Sequence, residues 1–368
     1  MIKVIDLFSG CGGFSLGFIQ AGLQITKAVE IEKDIAKSYV NNHPDTFMIN
    51  DDIRNIDNIN FFKKNEADII IGGPPCQGFS MAGARNRRDF IDDERNYLFK
   101  HYFNIVSLVK PKIFIMENVK GILSMQKGKI FQEIKEIFSD SELLDGDFYN
   151  IYPILTNSYN FGIPQKRERV IIIGVLNIKI DINNFIDMSK NNLIIKHPDF
   201  FDKVTIKDAL SNLPFPNESG EVNILEYNCK YQKYLKGIGN KTFNHSSTKH
   251  SSKAVDRIKQ LEADQNFKSL DEQINSIHSG SYGRLNYSGV SNTITTRFDT
   301  PSGGKFIHPE YNRTLTPREA ARIQSFPDDF HFIGSKTSVC KQIGNAVPVK
   351  IAYFYANVAK DILHEHFK

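Results

Sequence analysis

Asp68-Ile69-Ile70-Ile71-Gly72-Gly73-Pro74-Pro75-Cys76-Gln77 is the stretch on which the reading of this chain turns. Three consecutive isoleucines closed by glycines read as a short buried strand ending in a turn. Two prolines then restrict the backbone, and a cysteine follows just beyond the strand end. In open α/β sheets, ligands and reacting groups gather at that edge. A thiol held there is placed to act as a nucleophile, although a lone cysteine is as often a small buried hydrophobe.

Outward from this strand, the first half alternates strand and helix signals. Residues 3–8, 24–30, 47–50, 67–72, 112–116 and 170–175 read as strands, with amphipathic helices at 14–21 and from 30 to about 41. Such alternation predicts a mostly parallel sheet covered on both faces. Gly10, Glu30, Asp52, Cys76 and Glu117 all fall just after strands, which predicts one active edge. From about 177 to 309 the pattern loosens into polar, irregular sequence. Order returns at Thr316-Pro317-Arg318-Glu319, where Thr316 and Glu319 form a capping box with Pro317 in the first turn. A last helix is predicted over about 349–367.

The chain has 368 residues, enough for two domains or one large domain with an insertion. Hydrophobic residues make up 40% and charged residues 24%, the balance of a soluble globular protein. The opening Met1-Ile2-Lys3-Val4-Ile5-Asp6 does not read as a signal peptide. No apolar run approaches the ~20 residues of a membrane span. Cys11, Cys76, Cys229 and Cys340 have no paired spacing, so neither a zinc site nor a disulfide framework is indicated, and a reducing, cytoplasmic setting fits. A net charge of +4 is compatible with nucleic acid but too weak to argue for it alone.

Asp6-Leu7-Phe8-Ser9-Gly10-Cys11-Gly12-Gly13 is a strand-to-helix glycine turn. Glu30, at the end of the next strand, lies where a ribose hydroxyl is commonly held, and Asp52 ends the third. A nucleoside-bearing cofactor follows, either a nicotinamide dinucleotide or S-adenosylmethionine. The third dinucleotide glycine is missing, because position 15 is Ser. Residues 81–95, with Arg85, Arg87 and Arg88, read as a polar loop able to meet phosphates. Glu117-Asn118-Val119 offers a carboxyl for acid, base or hydrogen-bonding work. In Gln165-Lys166-Arg167-Glu168-Arg169, extended backbone would send Arg167 and Arg169 to one side, where two guanidiniums can clamp an oxygen. A surface salt-bridge cluster is the plainer alternative.

Taken together and in this order, these elements resemble the C5-cytosine DNA methyltransferase family. Arg318-Glu319-Ala320-Ala321-Arg322-Ile323-Gln324-Ser325-Phe326-Pro327 and Gln342-Ile343-Gly344-Asn345-Ala346-Val347-Pro348 carry the likeness as well. It covers about residues 1–176 and 310–350. The resemblance implies a doubly wound, Rossmann-like α/β sheet binding S-adenosylmethionine, with a smaller, irregular target-recognition domain. The corresponding boundaries are a catalytic and cofactor-binding domain at 1–184, a recognition domain at 185–309 and a segment at 310–368 that returns to the first. It further implies Cys76 as nucleophile at C6 of a flipped-out cytosine, Glu117 at ring N3 and Arg169 at O2 with Arg167 in support. The cofactor would lie against Phe8, Gly10, Gly12, Glu30, Ile31, Asp52, Ile53, Pro74, Leu98, Asn345 and Val347. Gln77, Ser80, Arg85, Arg87, Arg88 and Thr293 would meet DNA. Expected partners are double-stranded DNA and, unless the enzyme is solitary, a restriction endonuclease acting on the same site. No metal and no membrane are expected, and a monomer is the default state. A tRNA methyltransferase of the same chemistry, a non-catalytic DNA-binding module and a dehydrogenase are the competing readings. The irregular segment favours duplex DNA, the presence of Cys76, Glu117 and Arg169 favours catalysis, and a dehydrogenase has no use for the Pro-Pro-Cys element.

Overall fold

The computed structural model describes residues 1–75, 98–274, 276 and 278–367. In chain order the first half runs β1 (Lys3–Leu7), α1 (Gly13–Gln20), β2 (Gln24–Val29), α2 (Lys33–Asn42), β3 (Phe47–Ile49), α3 (Ile53–Ile56) and β4 (Ile69–Gly72). Next come α4 (Leu98–Val109), β5 (Ile113–Val119), α5 (Lys129–Ser139), β6 (Tyr149–Asn157), β7 (Gln165–Lys166) and β8 (Glu168–Leu176). Seven strands form one sheet in the order β3-β2-β1-β4-β5-β8-β6. The first five are parallel, and β8 runs antiparallel between β5 and β6. The order reverses between β1 and β4, which opens a crevice at the carboxyl ends of those two strands.

Strand alternation divides the core into two layers. Val4, Ile69, Ile71, Ile113, Ile115, Ile171 and Ile173 face one side. Ile5, Leu7, Ile70, Phe114, Met116, Val170 and Ile172 face the other. Every one of these is fully buried, and each such aliphatic side chain contributes about 1.5–3 kcal/mol. The first layer is covered by α1, α6 (Ile182–Lys196) and the long terminal helix, and the second by α4 and α5.

Beyond β8 the chain carries α7 (Ile206–Leu210), α8 (Lys230–Leu235), α9 (Ser252–Lys259), α10 (Pro317–Ile323), α11 (Lys336–Asn345) and α12 (Val349–His366). Residues 185–309 share their packing with the rest. Phe185, Leu193 and Phe200 join the sheet's first layer, whereas Ile206, Leu210, Tyr231, Ile294 and Phe298 pack with Ile323, Phe326 and Ile343. A small separate cluster gathers Ile258, Leu261, Leu270, Tyr282 and Ile307. The predicted capping box is present. Glu319 N donates to Thr316 Oγ1 at 3.2 Å and Thr316 N to Glu319 Oε2 at 2.8 Å. At Gly17 any Cβ would come within 2.4 Å of Ala352 Cβ, so α1 lies directly against α12 and ties the C-terminus to the sheet.

Element boundaries shift modestly from the sequence reading. β5 continues through Val119, so Glu117 and Asn118 sit within a strand rather than beyond it, because pairing with β8 extends to Val119↔Arg169. β2 stops at Val29, leaving Glu30 just outside the ladder.

Candidate active site

The turn after β1 is built on left-handed backbone, with φ of 58° at Phe8, 57° at Gly10 and 95° at Gly12. Such values cost little for glycine but of order 1 kcal/mol or more for Phe8. The turn directs Gly10 N to Glu30 Oε2 at 3.0 Å, and Glu32 N binds Glu30 Oε1 at 2.8 Å. Both Glu30 oxygens are thereby oriented, with lone pairs left over for a ligand. Burial holds the Glu30 carboxyl above its ordinary range, against the pull of these two amides.

Beside this turn lies a cleft of about 670 Å³. Its lining includes Asp6, Phe8, Ser9, Gly10, Phe14, Glu30, Ile31, Glu32 and Ile35 from the first half of the sheet. Gly73, Pro74, Pro75, Glu117, Asn118, Val119, Arg167 and Arg169 close the far side. Lys341, Gln342, Asn345, Ala346 and Val347 arrive from α11 and its end. Asn118 Nδ2 donates to Pro74 O at 3.0 Å and so ties the segment leading to Cys76 onto β5.

Arg169 Nε lies 3.0 Å from Glu117 Oε1, but that oxygen has no aligned hydrogen bond. The contact is therefore an ion pair with an acceptor still unfilled. Arg169 Nη1 donates to Glu168 O at 2.8 Å. Arg167, two residues earlier, is 1% exposed. Its Nη1 donates to Ile294 O at 3.2 Å and Gly344 O at 3.1 Å, while Nε has no partner. Burial, with Arg169 adding to it, brings the Arg167 guanidinium down to about 9.

Phe8, Gly10, Glu30, Ile31, Pro74, Glu117, Arg167, Arg169, Asn345 and Val347 are thus brought to one cleft. Gly12, Asp52, Ile53, Leu98 and Thr293 are not part of its lining among the described residues. Gly12 is the turn residue before α1, and a Cβ there would meet His43 Nε2 at 2.2 Å. Asp52 caps α3, and its carboxylate is taken by the Arg54 amide and guanidinium. Ile53 is core, and Leu98 packs against that same core layer. Thr293 Oγ1 donates to Lys166 O at 3.1 Å. Cys76, Gln77, Ser80, Arg85, Arg87 and Arg88 lie outside the described residues.

Sequence reasoning left Asp6, Lys341 and Gln342 out of the site. Asp6 was visible as the acid one residue before the end of β1. Lys341 pairs with Glu32, a contact between residues far apart in the chain that only the fold creates. Among the described residues, Asp6 Oδ1, Glu117 Oε1 and Gln342 Oε1 are buried acceptors without partners. The space in front of Gly10 is open, with nothing within 4 Å of a built Cβ. Unfilled acceptors around an open glycine cradle suit a ligand rich in donors and positive charge, which fits S-adenosylmethionine. Among the described residues no cluster of three or more His, Cys, Asp or Glu is arranged to hold a metal. No described helix is long and apolar enough to cross a membrane.

Comparison with known proteins agrees over nearly the whole chain. The family described as C-5 cytosine-specific DNA methylase matches residues 2–361. The Type II methyltransferase M.DdeI of Desulfomicrobium norvegicum is 35% identical over 376 residues, covering 95% of this chain and 86% of the relative. The Type II methyltransferase M1.HphI of Haemophilus parahaemolyticus is 34% identical, covering 95% and 84%. Among solved structures, a prophage-encoded DNA modification methyltransferase from E. coli superposes with a TM-score of 0.76 at 29% identity, covering 99% of this chain and all of that one.

Proposed function

The chain belongs to the C-5 cytosine-specific DNA methylase family, and from that premise we propose that the cleft between β1, β4 and β5 is where S-adenosylmethionine and a flipped-out cytosine of duplex DNA are brought together. The observation that carries this reading is one cleft shared by two half-sites: Glu30 oriented by Gly10 on one side, and the Glu117–Arg169 pair on the other. Phe8, Gly10, Glu30, Ile31, Pro74, Asn345 and Val347 would hold the cofactor, which supplies a methyl group on a sulfonium. Asp52, Ile53 and Leu98 were expected in the same set, and the described cleft lining does not include them.

Cytosine C5 is a weak nucleophile within an aromatic ring. Cys76 Sγ attacks C6, the ring loses aromaticity, and C5 gains enamine character. C5 would then bond to the methyl group that the cofactor supplies, and loss of the C5 proton with expulsion of the Cys76 thiolate restores the ring. A free thiol with pKa of about 8.5 is only a few per cent anionic at neutral pH, so the site must favour the anion. Glu117, with an unfilled oxygen, sits at ring N3 and offsets charge there as the thiolate attacks. Arg169 holds O2. Arg167 supports it from below by locking the Ile294 and Gly344 carbonyls to β7. Extruding the base costs a few kcal/mol, repaid by contacts to the flipped base and the DNA backbone. Gln77, Ser80, Arg85, Arg87, Arg88 and Thr293 are assigned to the DNA side, and residues 185–309 to reading the flanking sequence. The working state is a monomer on DNA in a reducing cytoplasm, either paired with a restriction endonuclease or solitary.

Bisulfite sequencing of random-sequence plasmid treated with the protein and S-adenosylmethionine tests the reading. One cytosine in one short motif becomes protected, and Cys76→Ser leaves it unprotected while still binding the cofactor. Absence of protected cytosines with cofactor bound, or protection by the Ser variant, overturns it.

A further inference from the structure

Asp6 is the odd acid of the cleft. It is 1% exposed and sits at the carboxyl end of β1, next to the reversal of strand order. Ser15 Oγ donates to its Oδ2 at 2.6 Å, and Ser15 Oγ also meets Tyr39 OH at 2.7 Å. Oδ1 has no hydrogen-bond partner among the described residues. Among the described residues, Glu30 after β2 is the charged group that acts on Asp6, and Asp6 in turn acts on Cys11 in the turn, Tyr39 on α2 and Tyr102 on α4, all of them acids. None is a cation. Of the cations that line the cleft among the described residues, Lys341 is engaged by Glu32 and Arg169 by Glu117, and the Arg167 guanidinium donates to the Ile294 and Gly344 carbonyls. Glu30, by contrast, has a backbone amide on each oxygen.

A buried carboxylate with one orphan oxygen and no counter-ion among the described residues is costly to keep charged. Burial, reinforced by Glu30 and opposed by the Ser15 bond, pushes the Asp6 carboxyl up to about 7. A cation entering the cleft would reverse that balance.

We propose that Asp6 is a proton switch for cofactor binding: its carboxyl O–H breaks and the proton passes to solvent when the cationic methyl donor enters the cleft. The proposal rests on the reading of this cleft as the donor's site. Binding then strengthens as pH rises through neutrality, because only the ionised carboxylate complements the ligand's positive charge.

Calorimetric titration of the full chain with S-adenosylmethionine, in buffers of differing ionisation enthalpy, counts the protons. At pH 6.5 roughly three-quarters of a proton should be released, and Kd should weaken by roughly eightfold from pH 7.5 to pH 6, both following from a carboxyl near 7. Asp6→Asn should bind without release and without that pH dependence. Ser15→Ala, which removes the bond favouring the anion, should move the midpoint of the affinity profile upward. The wild-type proton count and the Ser15→Ala shift decide the matter even if Asp6→Asn does not fold. Binding without release, or release that persists in Asp6→Asn, overturns the switch and leaves the cofactor site standing. No binding at any pH overturns the cofactor reading and the switch with it.

Discussion

In the cleft, Asp6, Glu117 and Gln342 each keep a buried side-chain oxygen without a hydrogen bond among the described residues, whereas α10 buries Arg318, Glu319 and Arg322 with their partners in place. Arg318 donates to the carbonyls of Phe243 and Pro327 at 2.8 Å each, and to that of Phe330. Arg322 grips both oxygens of Asp328, at 2.7 and 2.8 Å, and reaches Ala209 O and Asn212 Oδ1. Glu319 takes two bonds from Arg313 and one from Thr316 N. Charge burial thus has two signatures in one molecule. The saturated groups lie on α10 and pin that helix to the segments around it, and the unfilled acceptors of Asp6, Glu117 and Gln342 belong to residues that line the cleft.

This contrast can be broken at either end. The largest effect is expected from Arg322→Ala, which strands the Asp328 carboxylate and frees Ala209 O. Loss of one partner of a buried pair costs about 3–5 kcal/mol. Urea unfolding should show that loss, and a variant as stable as wild type would remove the architectural role. Next comes Glu117→Gln. It should lower kcat by about a hundredfold or more while shifting stability by less than about 1 kcal/mol. A stability loss with full activity would place Glu117 among the saturated, structural groups instead.

The smallest effect concerns pH. Burial holds the His308 imidazole down at about 4, against the opposing pull of Glu319. Its folded value lies below the unfolded 6.5, so the unfolded chain binds the extra proton first. Stability is therefore complete above pH 6.5 and falls as pH drops toward 4, by at most about 3 kcal/mol. Asp6 runs the other way, its raised value costing stability as pH climbs from 3.8 toward 7. Comparing wild type with His308→Asn cancels the Asp6 contribution. The wild type should lose ground to the variant between pH 6.5 and 4, and parallel profiles would refute the assignment.

Legibility in the sequence varied residue by residue. Ile69-Ile70-Ile71 announced a central strand because only a strand covered on both faces can bury three consecutive isoleucines. Glu30 was readable from its place at the next strand end, and Thr316-Pro317-Arg318-Glu319 from capping chemistry. Arg167 and Arg169 looked alike, since alternation reports the side a residue takes and not its depth. The fold separated them: Arg167 lies under carbonyls 127 and 177 residues away, and Arg169 faces Glu117 across the antiparallel β5–β8 pair. Asp52 and Ile53 read as cofactor wall from their place after β3, whereas the Arg54 pair on Asp52 and the core packing of Ile53 come from the fold.

By itself the sequence determined the α/β architecture, the family and a part of the cleft lining, Glu30, Glu117 and Arg169 among it, because strand patterning and turn chemistry are local and repeat in order along the chain. Only the tertiary structure decided which buried charges are satisfied. Hydrogen-bond partners such as Gly344 for Arg167, Pro74 for Asn118 and Glu32 for Lys341 come from distant segments, and burial, which sets the Asp6 proton, is a property of the assembled core.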